Sequence, residues 1–152
     1  MLLALFLGVV TGLRTLTPLA AVSWAARLGI LKLDGSWAAF LGYHWTPWIL
    51  SVLALAELIN DKLPNTPSRK TPPQFTARII TGSFAALTLG FEHGTVLLCA
   101  GLGAIGAVIG TLGGAAARTG LVKAIGGRDL PIALLEDCVT VGGVVLIVSC
   151  IR

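Results

Sequence analysis

Long apolar runs separated by short polar or proline-rich punctuation organise this chain, and five apolar segments can be drawn along it. The first, 2–30, is too long for one straight span, since about 29 residues at 1.5 Å each exceed 40 Å. It contains Gly12, Thr15, Thr17 and Pro18, so a break or kink is expected within 12–18. An aromatic stretch follows at 37–48, with Tyr43, His44 and Trp45 at its centre, a composition that suits a membrane interface. The second segment is 46–63, with Pro47 near its first turn. PNTPSRKTPP (64–73) carries four prolines with Arg69 and Lys70 and reads as a loop. The third segment, 74–91, turns at Glu92, His93 and Gly94 into the fourth, 95–118. Residues 119–130, with Lys123, Gly126, Gly127 and Arg128, read as a loop or short surface helix. Asp129 can then cap a fifth helix with Pro131 in its first turn.

Composition places these runs in lipid. Hydrophobic residues make up 55% and charged residues 12% of the chain, with a mean hydropathy of +0.89. A soluble domain carries about a quarter charged residues. The expected fold is an all-α membrane protein, a single integral membrane domain over 1–152, built as a bundle of four to five transmembrane helices with a broken first helix. Residues 2–10 resemble the apolar core of a signal peptide, but no basic segment precedes them and apolar runs continue afterwards, so no cleavage is expected. The net charge of +4 comes from basic residues lying mostly between the apolar runs. That pattern is topological and implies no nucleic-acid partner. If all five segments cross, the positive-inside rule puts the N-terminus and the loops holding Lys62, Arg69, Lys70, Arg118, Lys123 and Arg128 in the cytoplasm. A re-entrant first segment would move the N-terminus to the other side and leave the loops in place.

The charges inside the apolar runs are the candidate chemistry. Glu136 and Asp137 lie in a C-terminal run with no other charge over 131–151. An ionised carboxylate at a bilayer centre costs about 2.5–3.5 kcal/mol on insertion scales, so both must be paired, hydrated or protonated. Counted from the cytoplasmic helix ends, Glu57 lies about 9 Å deep, Arg78 about 6 Å, and Glu136 and Asp137 about 8–9 Å. Arg14, counted from Met1, lies about 20 Å deep, at the break. Asp61 is one turn from Glu57, close to the interface. Arg14, Thr17, Glu57, Arg78, Glu136 and Asp137 are therefore the expected substrate or ion pathway, flanked by hydroxyls such as Thr11, Thr15 and Thr140. The same residues can equally form a structural salt-bridge cluster, with Arg14 and Arg78 facing the carboxylates. Adjacent Glu136 and Asp137 point about 100° apart on a helix and so serve different partners.

Gly106, Gly110 and Gly114 recur every four residues, a face that lets another helix approach closely in lipid. The partner can lie in this chain or in a second copy, and a homo-oligomer (dimer) is expected. GLGAIG (101–106) matches a dinucleotide fingerprint, but that motif needs a strand–turn–helix context, and here it lies inside an apolar helix. Cys99, Cys138 and Cys150 read as small buried hydrophobes without metal spacing. His44 and His93 read as solvated interfacial side chains. No nucleophile–base arrangement, zinc motif or phosphate-cradling loop is present. The expectation is a non-enzyme with no cofactor and no metal.

GLRTLTPLA (12–20), RKTPP (69–73) and DLPIALLEDCVTVGG (129–143) together resemble a family of small bacterial integral membrane proteins classed as a domain of unknown function. The likeness is carried by Gly12, Leu13, Arg14, Thr17 and Pro18, then Ala133, Leu134, Glu136 and Asp137. It implies a multi-pass protein of the bacterial inner (plasma) membrane and supplies no activity. The reading favoured by the charged layer is transport or permeation of an ion or small polar solute across the lipid bilayer. Its rival is a non-transporting membrane scaffold or assembly protein whose buried charges are structural salt bridges.

Overall fold

The computed structural model describes residues 1–62, 71–127 and 129–151, and these contain helices and no strands. Six α-helices follow in order: α1 (Leu2–Leu13), α2 (Leu16–Arg27), α3 (Thr46–Asn60), α4 (Pro72–Leu87), α5 (Val96–Ala124) and α6 (Asp129–Ile151). Short 3-10 turns at Trp37–Gly42 and Thr88–Gly90 complete the described helical elements.

The expected break is a full reversal. Pro18 lacks an N–H, and in a continuous helix its ring would collide with the carbonyl of Arg14. The chain instead leaves the helix at Arg14, which is extended at φ −138° and ψ 123°. It re-enters at Leu16, so that Pro18 falls in the first turn of α2, where it is tolerated. From there α2 runs back toward the end at which α1 began. Leu31, just beyond α2, joins Met1, Leu3 and Cys150 around one cavity of about 460 Å³. Gly29, at φ +72°, supplies the left-handed residue that stops α2.

The remaining helices alternate in direction. Trp24 on α2 meets Trp48 near the start of α3, ring centroids 5.1 Å apart, and donates to Ser51 Oγ at 3.0 Å. The opposite end of α3 reaches the start of α2 through Glu57. Phe84 and Phe91 around the end of α4 pack against Trp37, the first tilted and the second edge-on. The result is an antiparallel six-helix bundle with Met1 and Ile151 at one end and Arg14 toward the other. A core of Leu7, Val10, Val22, Leu41, Val144 and Ile147 fills the space between the α1–α2 hairpin and α6.

In α5, size rather than polarity separates the faces. Gly103, Gly106, Ala107 and Gly110 are buried, while Leu97, Ile105, Ile109 and Leu112 are exposed. A Cβ on Gly106 would fall on the Leu5 carbonyl oxygen, and one on Gly110 on the Val9 carbonyl oxygen. Gly12 in turn would put a Cβ 2.5 Å from Ala107 O. The glycine face of α5 is thus spent inside this chain, against α1, and Gly114 faces Leu13 there. Any homodimer must use another surface. The GLGAIG segment lies wholly within α5, which removes the dinucleotide reading.

Among the described residues, α5 and α6 alone are both long and apolar enough to cross a membrane, while α1 and α3 are shorter apolar helices. Residues 119–124, expected as loop or surface helix, continue α5, and Gly126 and Gly127, at φ +76° and +85°, end it. Of the cysteines, Cys99 is buried, but Cys138 and Cys150 are exposed on α6, contrary to the expectation that all three are buried. His44 and His93 are both exposed, and His44 Nδ1 lies 2.6 Å from Arg27 Nη2. The loop at 64–73 falls mostly outside the described residues, as do Arg69, Lys70 and Arg128.

Close helix approach predicts an asymmetry between glycines of the same helix. Gly110→Ala should destabilise the protein by about 1–3 kcal/mol through overpacking. Gly113→Ala, where nothing lies within 4 Å, should be neutral or stabilising by up to about 1 kcal/mol from helix propensity. Unfolding curves of the two variants in detergent, compared with the parent, check this.

Candidate functional site: a charged layer around a helix reversal

A helix reversal exposes two sets of backbone groups, carbonyls at the end of α1 and amides at the start of α2. Side chains from three other helices satisfy them. Arg78 on α4 is buried and donates through Nη1 to Gly12 O at 2.7 Å and Leu13 O at 2.8 Å. Thr111 Oγ1 on α5 adds a 3.3 Å contact to Gly12 O while also donating to Ala107 O. At the other terminus, Glu57 on α3 accepts from Thr15 N and Leu16 N, both at 2.8 Å. Thr15 supplies no side-chain cap of its own. A cation thus meets the negative end of α1 and an anion the positive end of α2, the favourable sign in both cases.

Between these caps the Arg14 side chain is fully buried. Its Nε donates to Asp137 Oδ1 at 2.9 Å and its Nη2 to the same oxygen at 2.5 Å. Its Nη1 pairs with Asp61 Oδ2. Asp137 Oδ2 also lies 3.0 Å from Lys62 Nζ. The string Asp61–Arg14–Asp137–Lys62 therefore alternates in sign and reaches the surface at Lys62, whose side chain is 29% exposed. Alternation matters here because any one of these charges left alone at this depth would cost several kcal/mol.

Glu136 faces another way, as neighbours on a helix must. Its Oε2 lies 3.5 Å from Arg118 Nη1, and Arg118 holds Asp129 in a fork of 2.8 and 2.6 Å. Thr140 Oγ1 returns to Glu136 O, so its hydroxyl stays on its own helix. Thr17 lies in the first turn of α2, and its buried Oγ1 has no hydrogen-bond partner among the described residues. Among those residues no group of three or more His, Cys, Asp or Glu side chains is placed to hold a metal ion.

Arg14, Glu57, Arg78 and Asp137 thus converge, with two revisions to the sequence expectations. Arg14 is not at a separate depth: it touches Asp61 and Asp137 directly. The N-terminus starts from the end opposite Pro131, so a point about 20 Å along α1 and one about 9 Å along α6 meet at one level of the bundle. Arg78 donates to the backbone carbonyls that end α1, a role the sequence did not suggest. Asp61, Lys62 and Arg118 were read as interfacial or loop residues, yet they complete the layer. The only sequence signal for Asp61 was its position four residues after Glu57 on one helix face.

The stretches that carry this layer, 12–20 and 129–143, are also the ones that resembled a family at the sequence level. The chain belongs to the DUF4126 family. The family model, described as a domain of unknown function, matches residues 1–150. No curated protein and no solved structure matches the chain. Membership of DUF4126 assigns no activity, so the chemistry rests on the layer itself.

Three bonds from one guanidinium predict that the pair is worth most when intact. Arg14→Gln or Asp137→Asn should each cost about 3–5 kcal/mol in stability, and the double variant less than the sum of the two. Arg14→Lys should not restore stability, because an ammonium cannot span both carboxylates with the fork of a guanidinium. Glu57→Gln, which keeps an acceptor but removes the charge at the α2 terminus, should cost about 0.5–2 kcal/mol. Denaturant unfolding in detergent, read as a double-mutant cycle for the pair, gives these values.

Proposed function

We propose that this chain is a multi-pass protein of the bacterial inner membrane that passes an ion or a small polar solute, with the tip of the α1–α2 hairpin as its site. In this reading α3 to α6 cross the bilayer, and α1–α2 is a re-entrant hairpin of about 18 Å per arm. Large hydrophobic side chains turned outward, such as Val52, Leu55, Leu97, Ile105, Val145 and Leu146, fit a chain solvated by lipid rather than water. The exposed Trp37, Tyr43, Trp45 and Trp48 form the aromatic belt at the outer face. Lys62, Arg118 and Lys123, with Arg69, Lys70 and Arg128 of the connecting segments, mark the cytoplasmic side. Both termini then lie outside. Reporter fusions at the two ends should both score as extracytoplasmic and an insertion at residue 67 as cytoplasmic. Termini on opposite sides would overturn the re-entrant placement.

The observation that carries the transport reading is the backbone reversal at Arg14 within a layer of both charge signs. Non-helical backbone at membrane depth is tolerated where it is enclosed by protein or lines a cavity, and discontinuous helices with capped ends are a recurring way to build a solute site. An ion or polar solute would compete with Lys62 or Asp61 for the groups on Arg14 and Asp137 and so open the string. A second reading as a non-transporting scaffold is favoured by one specific fact: Arg14 is fully enclosed and directs Nε, Nη1 and Nη2 to Asp61 and Asp137.

Flux separates the two. Purified protein in proteoliposomes, under imposed gradients of K+, Na+, H+ and Cl−, should carry at least one of them. Asp61→Asn and Lys62→Gln should change the rate by about tenfold, the effect of roughly 1.4 kcal/mol on a barrier, while the protein still unfolds cooperatively. No flux under any of these gradients leaves the scaffold reading.

A further inference from the structure

Outward-facing apolar surface is unequal in height around the bundle. On α3 it runs from Trp48 to Ile59, about 17 Å along the axis, with His44 and Trp45 exposed before it and Asn60, Asp61 and Lys62 after it. On α5 it runs from Leu97 to Leu121, and on α6 from Leu130 to Cys150, about 36 and 30 Å respectively. A hydrocarbon core is about 30 Å thick. Helices α5 and α6 cover that thickness, and α3 falls short of it by roughly 13 Å.

The charged layer fixes where the shortfall lies. Asp61 and Asp137 hold the same guanidinium, and Lys62 Nζ lies 3.0 Å from Asp137 Oδ2, so the end of α3 is level with Asp137. Toward the other end, the stretch from Asp137 to Ile151 is about 21 Å long and that from Asp61 back to Thr46 about 23 Å. Helices α3 and α6 therefore finish together at the face proposed as outer. On the cytoplasmic side α6 continues about 12 Å past the end of α3, with Leu130, Leu134 and Leu135 exposed there. The sequence after α3 is PNTPSRKTPP, too polar to continue an apolar surface.

A span shorter than the bilayer is accommodated by thinning the lipid, by snorkelling of flanking residues or by oligomerising. Lys62 is placed to snorkel, but its ammonium is held at Asp137. The outward face of α3 presents Trp48, Ile49, Val52, Leu53 and Leu55, not the seam of small residues that favours helix association in lipid. Thinning of the lipid beside α3 is what remains.

We propose that the α3 side of the bundle thins the bilayer and passes phospholipids between its two leaflets. Headgroups of the cytoplasmic leaflet rise to Lys62, whose side chain is 29% exposed. From there an apolar path of only about 17 Å leads to the aromatic belt. Height, not headgroup chemistry, sets the rate, so phosphatidylethanolamine, phosphatidylglycerol and phosphatidylcholine exchange alike. The proposal rests on the membrane placement given above and requires no ion flux.

Proteoliposomes of the full chain, carrying traces of short-chain fluorescent forms of these three lipids, test it. Serum albumin, which no ion pathway admits, extracts the outer leaflet at once and the inner leaflet at the rate of exchange. Exchange should be at least about tenfold faster than in protein-free vesicles, the effect of roughly 1.4 kcal/mol on a barrier, and similar for all three lipids. Leu55→Asn, which sets an amide midway along the α3 face, should raise the rate about threefold further. Leu146→Asn, the same change on the full-height α6, should leave it unchanged. Exchange no faster than without protein, a strong preference for one headgroup, or equal acceleration by the two variants overturns the proposal. Flotation separates the failures: a chain that floats with the vesicles but exchanges no lipid sinks only this activity, whereas one that stays with the soluble fraction sinks the placement as well.

Discussion

The guanidinium of Arg14 is the constraint around which this protein is arranged. It sits fully buried at the point where the chain reverses, and it is tolerable there only because Asp61 from α3 and Asp137 from α6 are brought to it. Those two carboxylates in turn fix the register of two helices against the hairpin. The caps on the backbone extend the same demand: Arg78 from α4 closes α1 and Glu57 from α3 opens α2. One reversal thus recruits a charged side chain from α3, α4 and α6, and Thr111 from α5. An interior that must satisfy a broken backbone in a poorly hydrated place has few other solutions.

Glycine supplies the geometry that makes this possible. Helix α1 carries its apolar residues around most of its surface, so polarity does not tell it which side to bury. Close backbone contact with α5 does, because Gly106 and Gly110 leave room only for the Leu5 and Val9 carbonyls. The approach delivers Gly12 and Leu13 to Thr111 and Arg78. Packing and charge satisfaction are therefore coupled: separating α1 from α5 would also uncover the layer. Further along α5, Gly114 and Ala117 leave a crevice that no side chain of α6 fills. The same small residues that join helices at one level part them at the next.

Much of the architecture was legible from residue pattern. The break within 12–18 followed from Pro18 and its neighbours, and the helical class from run length and hydropathy. The divergence of Glu136 and Asp137 followed from helix periodicity, and the structure sends one to Arg118 and the other to Arg14. The direction of the chain after the break was not legible. Without it, Arg14 was assigned a depth of its own, and Asp61 and Lys62 stayed at the interface. The end of α5 was also missed, because the small residues and Thr119 after Arg118 give no clear stop before Gly126.

What the sequence alone determined is therefore local and compositional: apolar helices, a break at a known place, and a set of ionisable residues that cannot be left unpaired in an apolar interior. Tertiary structure decided which of them meet. Pairing is non-local, since Arg14 and Asp137 are 123 positions apart. It depends on the sense in which α2 leaves the turn, and that sense is set by α3 and α6 packing against α2. Short-range rules of dihedral angle and periodicity carry no information about a contact that only six packed helices can make.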